Sequence, residues 1–181
     1  DIDLDSRIEM AEKFQPHLLL SIHHNGSPRR DDNVNYPSVI IWGSKEVRPA
    51  SYDLAAYLQV EFNNLVGEKG EIISDFTVFH ETGTRILRRT RYLCPGIIGE
   101  AGFFSHPNYA EKLKKIDFNI QESEAYFKAI SKYFKNKSPE PEVLFSCSIY
   151  NNGYLSNMIK DKSPIIALKI NSEIKKIKAT F

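Results

Sequence analysis

The sequence lacks the features that mark several common protein classes. Its 181 residues include two cysteines, Cys94 and Cys147, which are too few for a disulfide scaffold. No apolar run approaches the roughly 18 consecutive residues typical of a transmembrane helix. Lys and Arg total 24 against 23 Asp and Glu, and the resulting net charge of +1 lacks the basic excess typical of nucleic-acid binding. We therefore expect neither a transmembrane segment nor a nucleic-acid partner.

What the sequence does contain is enough apolar material for a folded core. The hydrophobic share is 41% and the aromatic share is 12%, both too high for intrinsic disorder. The length corresponds to about one domain, or one domain with an appendage. The chain opens on Asp1, without an initiator Met or a signal peptide. We therefore expect a trimmed piece of a longer protein.

Apolar periodicity predicts helices that alternate with short buried strands. Helices are predicted over residues 5–15, with Asp5 as the N-cap, over residues 51–66, and over the region 109–134. Buried strands are predicted over residues 18–22, 38–42 and 96–99, and residues 72–79 fit either a strand or an extended loop. Such alternation predicts an α/β/α sandwich with a mostly parallel, twisted sheet.

The pattern changes near residue 135. Residues 136–142 form a polar, Pro-containing linker, and residues 143–181 are typical of short β-strands separated by turns. We therefore divide the chain into a domain at residues 1–135, the linker, and a small β-rich accessory segment. The segment is too short for us to expect that it folds independently, and its role stays open.

Two polar clusters follow predicted buried strands. His23, His24 and Asn25 leave the first strand, and Glu100 leaves the third. Since sites in parallel α/β sheets lie at the carboxyl ends of strands, these side chains are candidates for metal-assisted hydrolysis. His23 and His24 point to opposite faces of a strand, so both cannot readily ligate one ion. The alternatives are a hydrogen-bonded structural histidine and a Glu100 paired with a nearby arginine.

The order of several motifs resembles that of the zinc-dependent N-acetylmuramoyl-L-alanine amidases of bacterial cell-wall turnover. The family pattern L-x-x-R-x-x-x-A, followed by a strand ending in S-I-H-A/H-N, is similar to residues 4–11 and 18–25. Its L-R-x-T and P-x-x-L-V-E-x-G-F-x-S-N-P patterns resemble residues 87–90 and 95–107, and A-I-x-x-Y-F corresponds to residues 129–134. The resemblance covers about residues 1–135 and implies a phosphorylase/hydrolase-like sandwich.

By that resemblance, His23 is one of three Zn²⁺ ligands and Glu100 is the catalytic glutamate. The expected reaction is cleavage of peptidoglycan between the muramoyl lactyl group and L-alanine by zinc-activated water. The other two ligands of the family, a His and a Glu, lie upstream of the matched region, so we expect them before Asp1. The resemblance also implies an exported protein of the periplasm, cell envelope or extracellular space, and an autolysin whose activator protein, if it has one, is unknown.

Two alternatives to an active enzyme remain. A degenerate amidase-like domain would act as a non-catalytic peptidoglycan-binding or regulatory module and would bind no zinc. A plain α/β interaction domain would use the His-His-Asn cluster only for structure.

Four arginines in seven residues form the strongest local charge, at Arg85, Arg88, Arg89 and Arg91. One interpretation is a solvated loop, and the other is a clamp for the carboxylates of the stem peptide. Arg88 and Arg89 fall at the family's L-R-x-T position and, with Asn25, are the candidate substrate-binding residues.

Two further residues are weaker candidates for chemistry. His80 begins an H-E-x-x pattern whose second His is replaced by Thr84, so we reject a zincin helix and retain His80 only as a substitute ligand. Cys94 precedes Pro95 beside a predicted buried strand, which indicates an inert buried thiol.

Overall fold

A computed structural model describes residues 3–27, 33–45, 47–79 and 82–136 of the chain. The predicted linker beyond Asn136, the β-rich segment at 143–181, Cys147 and His80 lie outside these residues. No helix in the described ranges is long and apolar enough to cross a membrane.

Six helices and four strands follow one another in the described part of the chain. The helices are α1 (Leu4–Phe14), α2 (Pro49–Val66), α3 (Asp75–Val78), α4 (Arg85–Thr90), α5 (Pro107–Leu113) and α6 (Ile116–Lys135). The strands are β1 (Leu19–Asn25), β2 (Ser38–Ile41), β3 (Glu71–Ser74) and β4 (Gly96–Phe103).

The ends of the first two long helices follow from local chemistry. The N-cap of α1 is Asp3, whose carboxylate accepts the Ser6 N–H at 2.8 Å, and the prediction of Asp5 as the cap is wrong. The helix ends at Gln15, whose φ of 49° is left-handed, just before Pro16. Helix α2 ends where predicted because Gly67 takes a φ of 82° without steric cost.

Two predicted segments are each divided into shorter elements. Residues 72–79 form neither a single strand nor a loop, because Ser74 ends β3 and its Oγ caps α3 through the Phe76 N–H. The helical region at 109–134 is two helices, α5 and α6, separated at Lys114 and Lys115.

The sheet is mixed rather than uniformly parallel. Its strand order is β1-β4-β2-β3, with β1 parallel to β4 and β2 parallel to β3. The central pair, β2 and β4, is antiparallel. The predicted α/β sandwich is confirmed, and two of its three strand pairings are parallel as expected. Because β2 runs the other way, only β1 and β4 end at the edge that carries the candidate site.

Helices cover both faces of this sheet. On one side, the α6 face, alternate strand residues pack against α2 and α6 in a core that includes Val39, Ile97, Leu54, Phe62 and Tyr126. On the other side, the α4 face, Ile40 and Ile98 pack against Leu87. Helix α1 packs on α4.

Candidate active site

The site residues lie where β1 and β4 run side by side to their carboxyl ends. His23 of β1 is in register with Glu100 of β4, and two residues later Asn25 is in register with Phe103. Strand β4 therefore carries one extra residue, a bulge, opposite His24. Bulges of this kind redirect side chains and are common next to active sites.

A row of polar residues crosses the sheet at this level. Glu100 is flanked by His23 on β1 and by Ser38 on β2. Since side chains alternate along a strand, Glu100 shares the α4 face with Ile98, and Ser38 shares it with Ile40. The two residues singled out in the sequence, His23 and Glu100, are thus neighbours on one face.

Glu100 combines partial burial with an unpaired oxygen. Its Oε2 is buried and has no hydrogen-bond partner among the described residues. Burial raises the pKa of Glu100 to about 7, and the nearby His24 opposes part of that rise. No salt bridge in the described ranges includes Glu100, so the alternative of an arginine pair has no support there. A carboxyl group with such a pKa exchanges a proton readily near neutral pH.

His23 is the exposed member of the pair. Its Nε2 lies 2.9 Å from the Ser21 hydroxyl oxygen, which also belongs to the α4 face. A catalytic zinc site takes three protein ligands and keeps one open position. The described residues contain no group of three His, Cys, Asp or Glu side chains placed to hold a metal ion. They therefore do not by themselves fit a complete zinc site.

The next residue, His24, belongs to a different cluster on the α6 face. Its Nε2 lies 3.0 Å from Oε2 of Glu122, a residue of α6 that is only 6% exposed. The hydrogen bond to Glu122 raises the pKa of His24 above its usual value. The ring of Tyr109 packs at a tilt against His24. The prediction that the two histidines serve separate faces agrees with these contacts.

Sequence reasoning did not identify Glu122 or Ser38. A usable signal existed for Glu122, because it falls on the apolar face of α6 with Phe118 and Ala125, and an acidic residue there needs a partner. Ser38 opens a buried strand and belongs to no motif. Its Oγ accepts a hydrogen bond at 3.1 Å from Nδ2 of Asn25, so Asn25 joins the end of β1 to the start of β2.

Three of the four arginines lie in helix α4 and Arg91 is its C-cap, so the prediction of a loop is wrong, although Arg85 and Arg89 are about half exposed. Arg85 pairs with Asp5 at 2.7 Å, and Arg89 lies 3.7 Å from Glu12, so two arginines contact α1. Arg88 Nη1 donates to the Thr82 carbonyl oxygen at 3.5 Å.

Cys94 lies just before β4 as a free, buried thiol. Burial raises its pKa to about 11, which keeps it protonated at neutral pH. The burial of this thiol is as predicted, and its lack of reactivity stays a prediction.

Comparisons with known proteins give a consistent result. The sequence profile of the N-acetylmuramoyl-L-alanine amidase family matches residues 1–132. No curated protein in the comparison matches the chain by sequence.

Solved amidase structures share the fold. An N-acetylmuramoyl-L-alanine amidase from Clostridium difficile 630 superposes with a TM-score of 0.63 and 21% identity, covering 76% of this chain and 68% of its own. The amidase AmiC2 of Nostoc punctiforme gives 0.61 and 20%, covering 74% and 67%. The CwlD amidase of Clostridioides difficile, solved in complex with the GerS lipoprotein, gives 0.57 and 18%, covering 73% and 61%. The chain thus spans about two thirds of the length of these neighbours.

The match to the family profile covers most of the chain, including both His23 and Glu100, and the fold of the matched part is that of solved amidases. The chain therefore belongs to the N-acetylmuramoyl-L-alanine amidase family.

Proposed function

We propose that this chain is a peptidoglycan hydrolase that cleaves the amide bond between the N-acetylmuramoyl lactyl group and L-alanine of the stem peptide. The observation that carries the proposal is the pairing of His23 and Glu100 in register on one sheet face, with Glu100 Oε2 buried and unpaired. Membership of the amidase family supports the reaction class.

Glu100 performs the proton transfers in this proposal. Its carboxylate accepts a proton from the attacking water and then gives a proton to the leaving nitrogen of L-alanine. A pKa of about 7 suits both steps, since neither protonation state is strongly favoured near neutral pH. No described residue makes a hydrogen bond to Oε2, so no such bond competes with these proton transfers.

We further propose the remaining roles by position. His23 is a Zn²⁺ ligand, and Asn25, Arg88 and Arg89 bind substrate. The zinc role requires additional ligands from outside the described residues, because those residues hold no three-ligand cluster. Zinc content measured by mass spectrometry tests this role, and we expect His23→Ala to lower the bound zinc per chain. Unchanged zinc content in that variant would show that His23 is not a zinc ligand.

The decisive experiment concerns Glu100. We expect Glu100→Gln to lower the release of stem peptide from purified peptidoglycan by about 10²–10⁴-fold, the usual worth of a general acid–base group. The readout is the new α-amino group of L-alanine, detected by labelling. Glu111→Gln is the matched control, because Glu111 is an exposed helix residue paired with Lys114. Release at the parent rate by Glu100→Gln would refute the proposal.

The incomplete set of metal ligands favours a second candidate function, a non-catalytic amidase-like module that binds peptidoglycan. This alternative predicts that the chain co-sediments with cell-wall material and releases no peptide, with or without added zinc. Peptide release that depends on Glu100 distinguishes the enzyme from the module.

The place of action and the partners follow from the proposed substrate. Peptidoglycan lies in the bacterial cell envelope, so we propose an exported protein of the periplasm, envelope or extracellular space that acts as an autolysin. The CwlD amidase was solved with the GerS lipoprotein, which supports the proposal that a partner protein regulates this chain as well.

A further inference from the structure

Glu100 lies where the regular pairing of β4 stops on both of its sides. Toward β2, the pair of Glu100 with Ser38 is the last one in the register. Toward β1, the register is regular up to the pair of Glu100 with His23 and then shifts at the bulge. Beyond this level the regular ladders no longer hold β4 between its neighbours. The position of Glu100 therefore depends on other contacts as well.

Hydrogen bonds outside the regular ladders connect the chain beyond this level. Asn35 Oδ1 accepts the Phe103 N–H at 3.0 Å, and the Phe104 N–H donates to the Asn25 carbonyl oxygen at 2.8 Å. Each of these bonds joins β4 to the chain on one of its sides. The bond from Asn25 Nδ2 to Ser38 Oγ, at 3.1 Å, instead joins the two sides to each other.

The bond between Asn25 and Ser38 crosses β4 on the face from which Glu100 projects. Strand β4 lies between β1 and β2 in the sheet, so a bond between these two strands must pass over it. Ser38 shares the α4 face with Ile40. Asn25 is two residues from His23 and so lies on the same face. The bond therefore passes beside Glu100, on the side toward the end of β4.

Burial makes this bond a firm restraint. Ser38 is 0% exposed and Asn25 is partly buried. A hydrogen bond shielded from water is costly to break, because each of its groups is then left unsatisfied. The bond keeps β1 and β2 at a fixed separation on this face, and the Glu100 side chain projects between them. Since Glu100 Oε2 is also buried, few orientations remain open to its carboxyl group.

We propose that Asn25 and Ser38 are positioning residues, and that their hydrogen bond across β4 holds the Glu100 side chain in one orientation beside His23. The inference deepens the proposed function and rests on it wherever a rate is measured. Ser38 acts through Glu100, because a fully buried hydroxyl group cannot contact peptidoglycan. Asn25 is partly exposed, so this role is compatible with its proposed contact to substrate.

The kinetic test compares two buried serines placed toward opposite ends of β4. Ser38→Ala removes the acceptor of the Asn25 amide, and Ser51→Ala removes the acceptor of the Gly96 N–H, also at 3.1 Å. Ser51 is 2% exposed, so both variants lose one shielded hydrogen bond, and urea denaturation should show similar losses of stability. We expect kcat for stem-peptide release to fall about 10–100-fold in Ser38→Ala alone, with KM unchanged. An equal fall in Ser51→Ala would overturn the positioning role.

A double variant tests whether the two residues act as one unit. Asn25→Ala breaks the same bond from its more exposed side, and it replaces Ser38→Ala if that variant does not fold. We expect both single variants to lower kcat, and the double variant to be no slower than the slower of them. A rise in KM in Asn25→Ala reports its separate contact with substrate. Losses in kcat that multiply in the double variant would contradict a shared role.

Crystal structures of the same variants test the inference without any activity. We expect Glu100 to occupy one conformer in the parent and in Ser51→Ala, and several conformers in Ser38→Ala. A single, unchanged conformer of Glu100 in Ser38→Ala would overturn the inference, whatever the rates. A parent protein that releases no peptide would refute the proposed function instead, and the conformers of Glu100 would still decide whether the bond positions it.

Discussion

Each face of the sheet has a histidine beside a glutamate near the ends of β1 and β4, and the two pairs differ in how their charges are satisfied. His23 of β1 lies beside Glu100 of β4, whereas His24 of β1 contacts Glu122 of helix α6. On the α4 face, His23 is exposed and Glu100 has a buried oxygen without a partner in the described part of the chain. On the α6 face, His24 and Glu122 contact one another at 3.0 Å. The same two residue types thus occur in two electrostatic settings, although the two histidines are consecutive residues of β1.

The comparison shows that the partner, more than the burial, decides what a buried carboxyl group does. Glu122 is more deeply buried than Glu100, yet its hydrogen bond to His24 fixes both groups in place. Glu100 lacks such a partner among the described residues, and burial raises its pKa to about 7. A satisfied pair stabilises the fold, whereas an unsatisfied carboxyl group is available for proton transfer.

Leucine substitutions at Glu122 and Glu100 should differ clearly in their effect on stability. We expect Glu122→Leu to lower the free energy of unfolding by about 1–3 kcal/mol, because it leaves the half-buried His24 without its acceptor. Glu100→Leu should cost less than about 1 kcal/mol, because it removes a buried oxygen that has no hydrogen-bond partner among the described residues. Urea denaturation measures both values. Equal losses would mean that Glu100 has a structural role comparable to that of Glu122.

The stability of the metal-free protein should also depend on pH through Glu100. The pKa of Glu100 rises from its ordinary 4.5 to about 7, so the folded state binds this proton more tightly than the unfolded state. The contribution of Glu100 to stability is therefore present below about pH 4.5 and is lost as the pH rises to about 7.

The raised pKa of His24 acts in the same direction at higher pH, as the pH rises through and above its usual 6.5. We therefore compare the parent with Glu100→Gln between pH 4.5 and 6, using thermal melts with a chelator present. The melting temperature of the parent should fall more steeply than that of the variant. Parallel slopes would show that the pKa of Glu100 is not raised in the folded protein.

The sequence was sufficient to predict His23 and Glu100 on the α4 face, but neither Ser38 nor the mixed sheet around them. Strand alternation and motif order placed His23 and Glu100 at neighbouring strand ends, and the register agrees. Hydrophobic periodicity could not predict the direction of β2, because a fully buried strand such as Ser38–Ile41 has the same apolar pattern in either orientation. Ser38 therefore lies beside Glu100 through the antiparallel pairing of β2 with β4, which the sequence did not indicate.

The α6 face was missed for a different reason. The sequence can indicate that Glu122 lies on a buried helix side, but pairing it with His24 requires a contact between residues 98 positions apart. Such a contact depends on how α6 crosses the edge strand.

The helix α4 was missed because its charged sequence suggested a loop, whereas the buried Leu87 and Thr90 hold it against the sheet.

The exposed ion pairs between α4 and α1 should contribute little to stability. Arg89 and Glu12 are each about half exposed and 3.7 Å apart, so Arg89→Ala should change the free energy of unfolding by less than about 1 kcal/mol. If Arg89 binds the stem peptide as proposed, the same variant raises KM and leaves kcat unchanged, because the guanidinium holds substrate and transition state equally. Arg85→Ala is the control, since Arg85 makes the corresponding pair with Asp5. An unchanged KM in Arg89→Ala would leave this arginine with only a surface contact between α1 and α4, in contrast to the buried pair on the opposite face.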